Sequence, residues 1–143
     1  ERAARRSRQE RAFRAQIALA QDLNLPLILH VVGRHGACLR ALRDQRFPPG
    51  LGGMVHDFGG PLETIAEWAA AGFCLSISPR SLRPDRVPLL RAIPDALLLA
   101  ETDDFGPERL LDVLAALAAA RGISLSAVAA LTAANARRCL RLG

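Results

Sequence analysis

The sequence predicts an α/β fold in which a parallel sheet is built from repeated strand–helix units. Short apolar runs alternate along the 143 residues with longer segments of helical periodicity. Three of the apolar runs end at a side chain that can bind a metal: LPLILH at His30, GGMVH at His56 and LLLAETD at Asp103. Since parallel strands carry their carboxyl ends to the same edge of a sheet, we expect these three side chains to meet there.

Four apolar runs have the length and boundaries of strands. Each is bounded by Pro, Gly or polar residues, and helix-type segments separate them, which predicts parallel neighbours joined by right-handed crossovers. The predicted strands are residues 26–31, 52–56, 73–77 and 96–101.

The first predicted helix covers residues 2–22. Phe13, Ile17 and Ala20 recur at i, i+4 and i+7, and arginines occupy the other side. Six arginines fall within residues 1–14, and two interpretations remain open: a phosphate-binding face, or a solvated helix face, which we prefer.

Proline and glycine residues mark the ends of the remaining predicted helices. We predict helices at residues 37–45 and 61–71, and a short one at 89–92 after a Pro-rich loop over 79–88. Further helices are predicted from Pro107 to Gly122, after Ser124 as a cap, and after Thr132. The apolar face of the helix that follows Pro107 is predicted to comprise Leu110, Leu111, Leu114, Leu117 and Ala118.

The composition is that of one globular domain over residues 1–143, with 50% hydrophobic and 23% charged residues. No apolar run approaches the roughly 20 residues that span a bilayer, so we expect no membrane partner. Three widely spaced cysteines without a CxxC pair favour reduced thiols and a cytoplasmic protein. The net charge of +5 comes entirely from arginine, so a bias toward that residue explains much of it.

Five segments, in this order, resemble the C-terminal half of the TatD family of metal-dependent deoxyribonucleases. They are FRAQIALAQDLNLPLILH, GGMVHDFGG, AAAGFCLSIS, LLLAETD and LTAANARRCL, and they extend from about Gln9 to the end of the chain. The family lies among the amidohydrolase-like TIM barrels. The resemblance therefore implies that the parallel βα units are the C-terminal half of a TIM (β/α)8 barrel.

The resemblance also implies a site. It makes His30, His56 and Asp103 ligands of a divalent metal ion (Zn, Mg or Mn), with Asp103 in addition a catalytic residue that orients the attacking water. The implied activity is hydrolysis of phosphodiester bonds in DNA, of the 3′-exonuclease type, so DNA is the expected partner.

The chain departs from the family pattern in ways that leave an alternative open. It contains no His-x-His, it has Val32 where the family often has Arg, and Asp104 and Phe105 follow the Asp where the family has a small residue and Pro. A half barrel also leaves sheet edges unpaired, so we expect self-association through them. The alternative function is a catalytically incomplete barrel remnant that acts as a binding or assembly module.

For Arg34, His35 and Glu101 two interpretations remain open, whereas Trp68 and Asn135 are expected to have structural roles. Arg34 and His35 either contact a substrate phosphate or form an exposed loop pair. Alternation along an extended strand predicts that Glu101 shares a face with Asp103, where it either supports the site or forms a structural ion pair. Trp68 is expected in the core or an interface, and Asn135 in a cap or turn.

Overall fold

The computed structural model describes residues 2–142, and the side chains of residues 4–142. A parallel sheet of four strands lies at its centre, in the order β1-β2-β3-β4. The strands are β1 (Leu27–His30), β2 (Gly53–His56), β3 (Phe73–Ile77) and β4 (Leu98–Ala100). Sheet order equal to chain order, with every pair parallel, confirms the predicted half of a (β/α)8 barrel.

Helices connect the strands and flank the sheet. Their bounds are α1 (Arg2–Leu23), α2 (His35–Asp44), α3 (Ile65–Ala70), α4 (Val87–Ala92), α5 (Arg109–Arg121) and α6 (Leu125–Cys139). Single 3-10 turns precede α3 and β4, and two more occupy the Pro-rich segment between β3 and α4. Among these elements no single helix is long and apolar enough to cross a membrane; α5 and α6 pass such a test only as a pair bent by 109°.

Three details of the helix prediction were wrong. The segment after Ser124 is one helix, because Thr132 donates its hydroxyl hydrogen to the Val128 carbonyl one turn back and so does not interrupt the backbone ladder. The α-helix predicted from Pro61 begins only at Ile65, after a 3-10 turn. In α5 the predicted core residues Leu110 and Leu111 are 37% and 64% exposed, since the buried stripe passes through Val113 instead.

The main core lies between the sheet and the helices outside it. Side chains of the alternate strand residues Val55, Leu75 and Leu98 point into it and are fully buried. Trp68 of α3 is also fully buried, packed edge-on against Phe73, which confirms its predicted core position. Burial of large side chains of this kind stabilises the fold by about 1.5–3 kcal/mol each.

The opposite face of the sheet, which would line the barrel interior, is covered over its central part by the end of α6. Met54, Cys74 and Leu99 are each at most 9% exposed and pack against Cys139. The face of these strands that would line the barrel interior is therefore packed within this chain. The exception is the β1 edge, where Ile28 is 64% exposed.

Helix α6 is held under the sheet by polar contacts at the amino ends of the strands. The side-chain amide of Asn135 donates to the carbonyls of Asp95 and Leu98. These two backbone acceptors of the turn that leads into β4 thereby gain a hydrogen-bond donor. This is the turn role expected of Asn135. Gly53, at φ 142°, opens β2 where a Cβ would stand 1.9 Å from the Leu27 carbonyl oxygen, so only glycine fits.

Candidate active site

His56, the last residue of β2, lies between two carboxylates at the carboxyl edge of the sheet. Its Nδ1 is 2.6 Å from Oε2 of Glu101, and its Nε2 is 3.2 Å from Oδ1 of Asp103. All three side chains are only 17–24% exposed. Both carboxylates come from the segment that follows β4, and they lie on either side of the same imidazole.

Glu101 is fixed by a second set of hydrogen bonds. Its Oε1 accepts the backbone N–H of Asp57 at 2.6 Å and the hydroxyl of Ser76 at 2.5 Å, while its own N–H donates to the Ile77 carbonyl. The hydroxyl of Ser76 reaches Glu101 from β3, the strand that lies between β2, which ends at His56, and β4, which precedes Glu101. The carboxylate of Glu101 therefore holds the imidazole of His56 in one orientation, a contact that fits both interpretations considered for Glu101, support of the site and a structural ion pair.

The charges around His56 shift two pKa values. Burial alone lowers the pKa of His56, but the hydrogen bond to Glu101 and the charges of Glu101, Asp103 and Asp57 outweigh it, and the net direction is upward. Burial alone raises the pKa of Asp103, but the hydrogen bond from Arg80 and the charge of His56 lower it below its ordinary value. Asp103 is therefore ionised at neutral pH.

Sequence reasoning missed Arg80, Ser78 and the carboxylate of Asp57. The Arg80 guanidinium donates to Asp103 at 3.1 and 3.2 Å and to Asp104 at 2.5 Å, and it lies 3.6 Å from Asp57. Ser78 donates to the other oxygen of Asp57 at 2.5 Å. A usable signal existed, because Ser78 and Arg80 follow β3 at the same sheet edge where the other strands supply the site.

Two of the acidic residues adopt a left-handed backbone. Asp57 has φ 46° and Asp103 has φ 51°, in a region that non-glycine residues seldom occupy but Asp tolerates better than most. Backbone strain of this kind concentrates at functional sites. Here it turns the chain at the end of each strand and directs two carboxylates toward the same guanidinium.

His30, the last residue of β1, is the neighbour of His56 in the sheet register. The two imidazole centroids are 5.3 Å apart with a tilt of 37° between the rings. The structure thus brings His30, His56 and Asp103 to one edge of the sheet, as the sequence predicted.

Arg34 and His35 have different environments. Arg34 is exposed at the start of α2. His35 is only 4% exposed, so the interpretation as an exposed loop pair was wrong for it; the apolar rings of Phe58 and Trp68 enclose it. Both residues line a cavity that also contains His30.

The donor chemistry fits a divalent cation. Two ligand atoms that share one ion at about 2.1 Å, at angles near the tetrahedral or octahedral value, lie roughly 3.0–3.4 Å apart. The 3.2 Å between Nε2 of His56 and Oδ1 of Asp103 meets that condition. A carboxylate on the far nitrogen, as Glu101 provides, is the usual support of a metal-binding imidazole. However, within residues 2–142 no three His, Cys, Asp or Glu side chains are arranged as a ready-made metal site.

A half barrel with imidazoles and carboxylates at the carboxyl ends of its strands has the architecture of a barrel enzyme. The sequence model of the TatD related DNase family matches residues 1–141. The chain therefore belongs to the TatD related DNase family.

Curated relatives agree with this assignment, and a solved structure agrees with the fold. A 3′-5′ ssDNA/RNA exonuclease TatD of Musicola paradisiaca (strain Ech703) is 36% identical over 68% of this chain and 38% of its own length. An uncharacterized metal-dependent hydrolase, YabD, of Bacillus subtilis (strain 168) is 28% identical over 94% of this chain and 58% of its own. The crystal structure of YJJV, a TatD homolog from Escherichia coli K12, superimposes with a TM-score of 0.79 at 24% identity, over 90% of this chain and 54% of that one. The chain thus spans about half the length of the proteins it matches.

Proposed function

We propose that His30, His56 and Asp103 belong to a divalent-metal site for hydrolysis of phosphodiester bonds in DNA, of the 3′-exonuclease type. The observation that carries the proposal is the position of His56, held by Glu101 on one nitrogen and 3.2 Å from Asp103 on the other. The names of the relatives, an exonuclease and a metal-dependent hydrolase, support the reaction class.

The residues have distinct tasks in this proposal. A divalent cation, when bound, polarises a phosphoryl oxygen and makes a water molecule more acidic. His56 and Asp103 would hold it together with His30. Glu101 keeps the imidazole of His56 in one orientation, with Nε2 toward Asp103. The lowered pKa of Asp103 keeps its carboxylate ionised, so it can hold the cation and orient the attacking water.

Charge also supports a nucleic-acid substrate. The chain carries a net charge of +5, and Arg80, about half exposed, stands at the rim of the site beside Asp103. Asp103 and Asp104 already engage this guanidinium, so the attraction of a phosphate to this edge falls to arginines without an acidic partner in the part of the chain that the structure describes, such as Arg34 and Arg40.

A second candidate function is a binding or assembly module with an incomplete site. Two observations favour it: no three candidate ligands within residues 2–142 form a ready-made site, and the sequence has no His-x-His. In that case the acidic and imidazole groups would serve only to hold the ends of the strands together.

Metal retention separates the two candidates. The purified chain is dialysed against Zn²⁺, Mn²⁺ or Mg²⁺, and bound metal is measured by elemental analysis for the wild type, His56→Ala and Asp103→Asn. Asp22→Asn, at an exposed position of α1, is the matched control. We expect the wild type and the control to retain at least one of these ions and both site variants to lose affinity by tenfold or more. Equal retention by all four proteins, or none by the wild type, would contradict the proposal.

A further inference from the structure

A cavity of about 750 Å³ opens beside the candidate active site. Its walls are the loop after β1, the first turn of α2 and the loop after β2. His30 and Asp57 belong to its lining, so the cavity is continuous with the site at the strand ends. Whatever occupies it lies next to the reacting group of a substrate held by His30, His56 and Asp103.

A buried hydrogen-bond donor points into this cavity. The indole N–H of Trp68 donates to Nδ1 of His35 at 3.2 Å. An indole nitrogen can only donate, so Nδ1 is unprotonated and neutral His35 carries its proton on Nε2. Burial lowers the pKa of His35, which favours this neutral form at pH 7.

Among the described residues, no hydrogen bond uses Nε2 of His35. The imidazole lies against Gly60 in the cavity wall, where a Cβ would be 2.6 Å from Nε2. A side chain at position 60 would therefore collide with this nitrogen, so glycine there allows the imidazole to take its place in the cavity wall. The His35 residue is only 4% exposed, and its Nε2–H, which has no partner among the described residues, is free to donate to a group in the cavity that it lines.

The surroundings of that N–H are positively charged. Arg6, Arg34 and Arg40 line the cavity or its rim, and none of them pairs with a carboxylate among the described residues. The guanidinium of Arg40 lies over Gly36, 3.6 Å from the place of a Cβ. Arg80, at the same sheet edge, is not free in this way, since Asp103 and Asp104 engage its guanidinium.

The amino end of α2 adds to this charge. The helix has ten residues, its cap residue Arg34 makes no side-chain capping bond, and its first turn contains no acidic residue. The Arg34 carbonyl accepts from the N–H groups of Ala37 and Cys38, whereas those of His35 and Gly36, which line the cavity, have no partner among the described residues. The positive end of the helix dipole therefore lies at the cavity without an anionic side chain in the first turn. A helix end, an unpartnered imidazole N–H and free guanidinium groups together form an anion site.

We propose that this cavity binds a phosphate group of the substrate strand, next to the phosphate that is hydrolysed, through His35, Arg34, Arg40 and the amino end of α2. The identity of the ligand rests on the proposed function, whereas the affinity for phosphate rests on the cavity alone. Asp57 is the one acidic group in the lining, and Ser78 and Arg80 already bind its carboxylate.

Binding is tested without metal, in EDTA, so that it is independent of catalysis. The probes are inorganic phosphate, followed through the fluorescence of Trp68, which is the only tryptophan, and a labelled single-stranded oligodeoxynucleotide, followed by anisotropy. The variant Arg34→Gln/Arg40→Gln is compared with Arg46→Gln/Arg137→Gln, which removes the same charge at exposed positions near the ends of α2 and α6.

We expect a saturable phosphate response in the wild type and the control that is lost in the Arg34/Arg40 variant. The same variant should bind the oligonucleotide about tenfold more weakly, and its salt dependence should fall by roughly 1.4 in slope, for two lost phosphate contacts. Methylphosphonate linkages, which are uncharged, should remove the difference between the variants.

Two results would overturn the proposal: no saturable phosphate response in the wild type, or equal oligonucleotide affinity in the two double variants. Failure of the proposed function gives a different result. If only the proposed function fails, the Arg34/Arg40 variant still loses phosphate binding, but the chain retains no cation through His56.

Discussion

Nδ1 of His56 lies 2.6 Å from Oε2 of Glu101, although β3 separates the strands that carry the two residues. The contact spans the sheet because the hydroxyl of Ser76, on β3, donates to the other oxygen of Glu101. One carboxylate therefore ties three strand ends together and sets the orientation of the one imidazole that lies nearest to Asp103.

Replacement of Glu101 by Gln should weaken metal binding without unfolding the chain. The amide keeps the size of the side chain but loses the charge that orients His56, and loss of such support typically costs 10- to 100-fold in metal affinity. Competition with a chromogenic chelator measures the affinity, with Glu63→Gln at an exposed position as the control.

The same variant has a readout that needs no metal. The hydrogen bond and the charge of Glu101 raise the pKa of His56, so Glu101→Gln should lower that pKa in an NMR titration. An unchanged pKa, or a metal affinity equal to that of Glu63→Gln, would contradict the role that we give to Glu101.

The chain alone should be a poor nuclease. The sequence has no His-x-His, and only part of the expected ligand set is close to His56. We therefore expect His56→Ala to change metal retention more than it changes turnover of a 3′-labelled single-stranded DNA. Robust cleavage by the purified wild type that EDTA abolishes would show that these residues suffice for catalysis.

Stability should fall as the pH drops below about 6.5, because burial lowers the pKa of His35. The unfolded chain then binds more protons at this residue than the folded chain, so the free energy of unfolding decreases toward acid. His56, whose pKa is raised, has the opposite sign: its contribution is complete below about 6.5 and is lost as the pH rises through the folded pKa. The effect of His35 on stability therefore appears on the acid side of the ordinary histidine pKa, and the effect of His56 on the alkaline side.

Urea unfolding followed by Trp68 fluorescence at pH 5.5 and 7.5 measures the acid-side effect. His35→Gln should reduce the loss of stability between these pH values, whereas His30→Gln, at an exposed position, should keep the wild-type loss. If His35→Gln retains the full loss, then His35 is not the residue responsible.

The strands and the meeting of His30, His56 and Asp103 were predictable because each depends on local pattern. An apolar run marks each strand, and parallel pairing brings the carboxyl ends to one edge whatever the details of packing. Alternation along an extended strand does not explain how Glu101 and Asp103 reach the same imidazole, because β4 ends at Ala100 and Asp103 has a left-handed backbone.

The remaining features depend on tertiary packing. The burial of His35 between Phe58 and Trp68 depends on how α2 and α3 meet, and nothing in the local sequence marks it. Coverage of Cys74 by Cys139 brings together residues that lie far apart in the chain. The contacts of Arg80 likewise depend on two loops that follow different strands.

The chain should self-associate through the edge of the sheet at β1. Ile28 is 64% exposed on this strand, and Val32, two residues after the strand ends, is 75% exposed. Residues Leu27–His30 include no Lys, Arg, Asp or Glu, so the strand itself lacks the charges that usually prevent pairing. Ile28→Lys should shift the chain toward monomer in sedimentation velocity at roughly 50 μM, a concentration at which exposed strand edges associate. Leu111→Lys is a matched control, because Leu111 is also 64% exposed but lies on α5, away from the edge. A wild type that sediments as a monomer, melts cooperatively and binds no hydrophobic dye would contradict this prediction, since the apolar surface at β1 would then be covered in some other way.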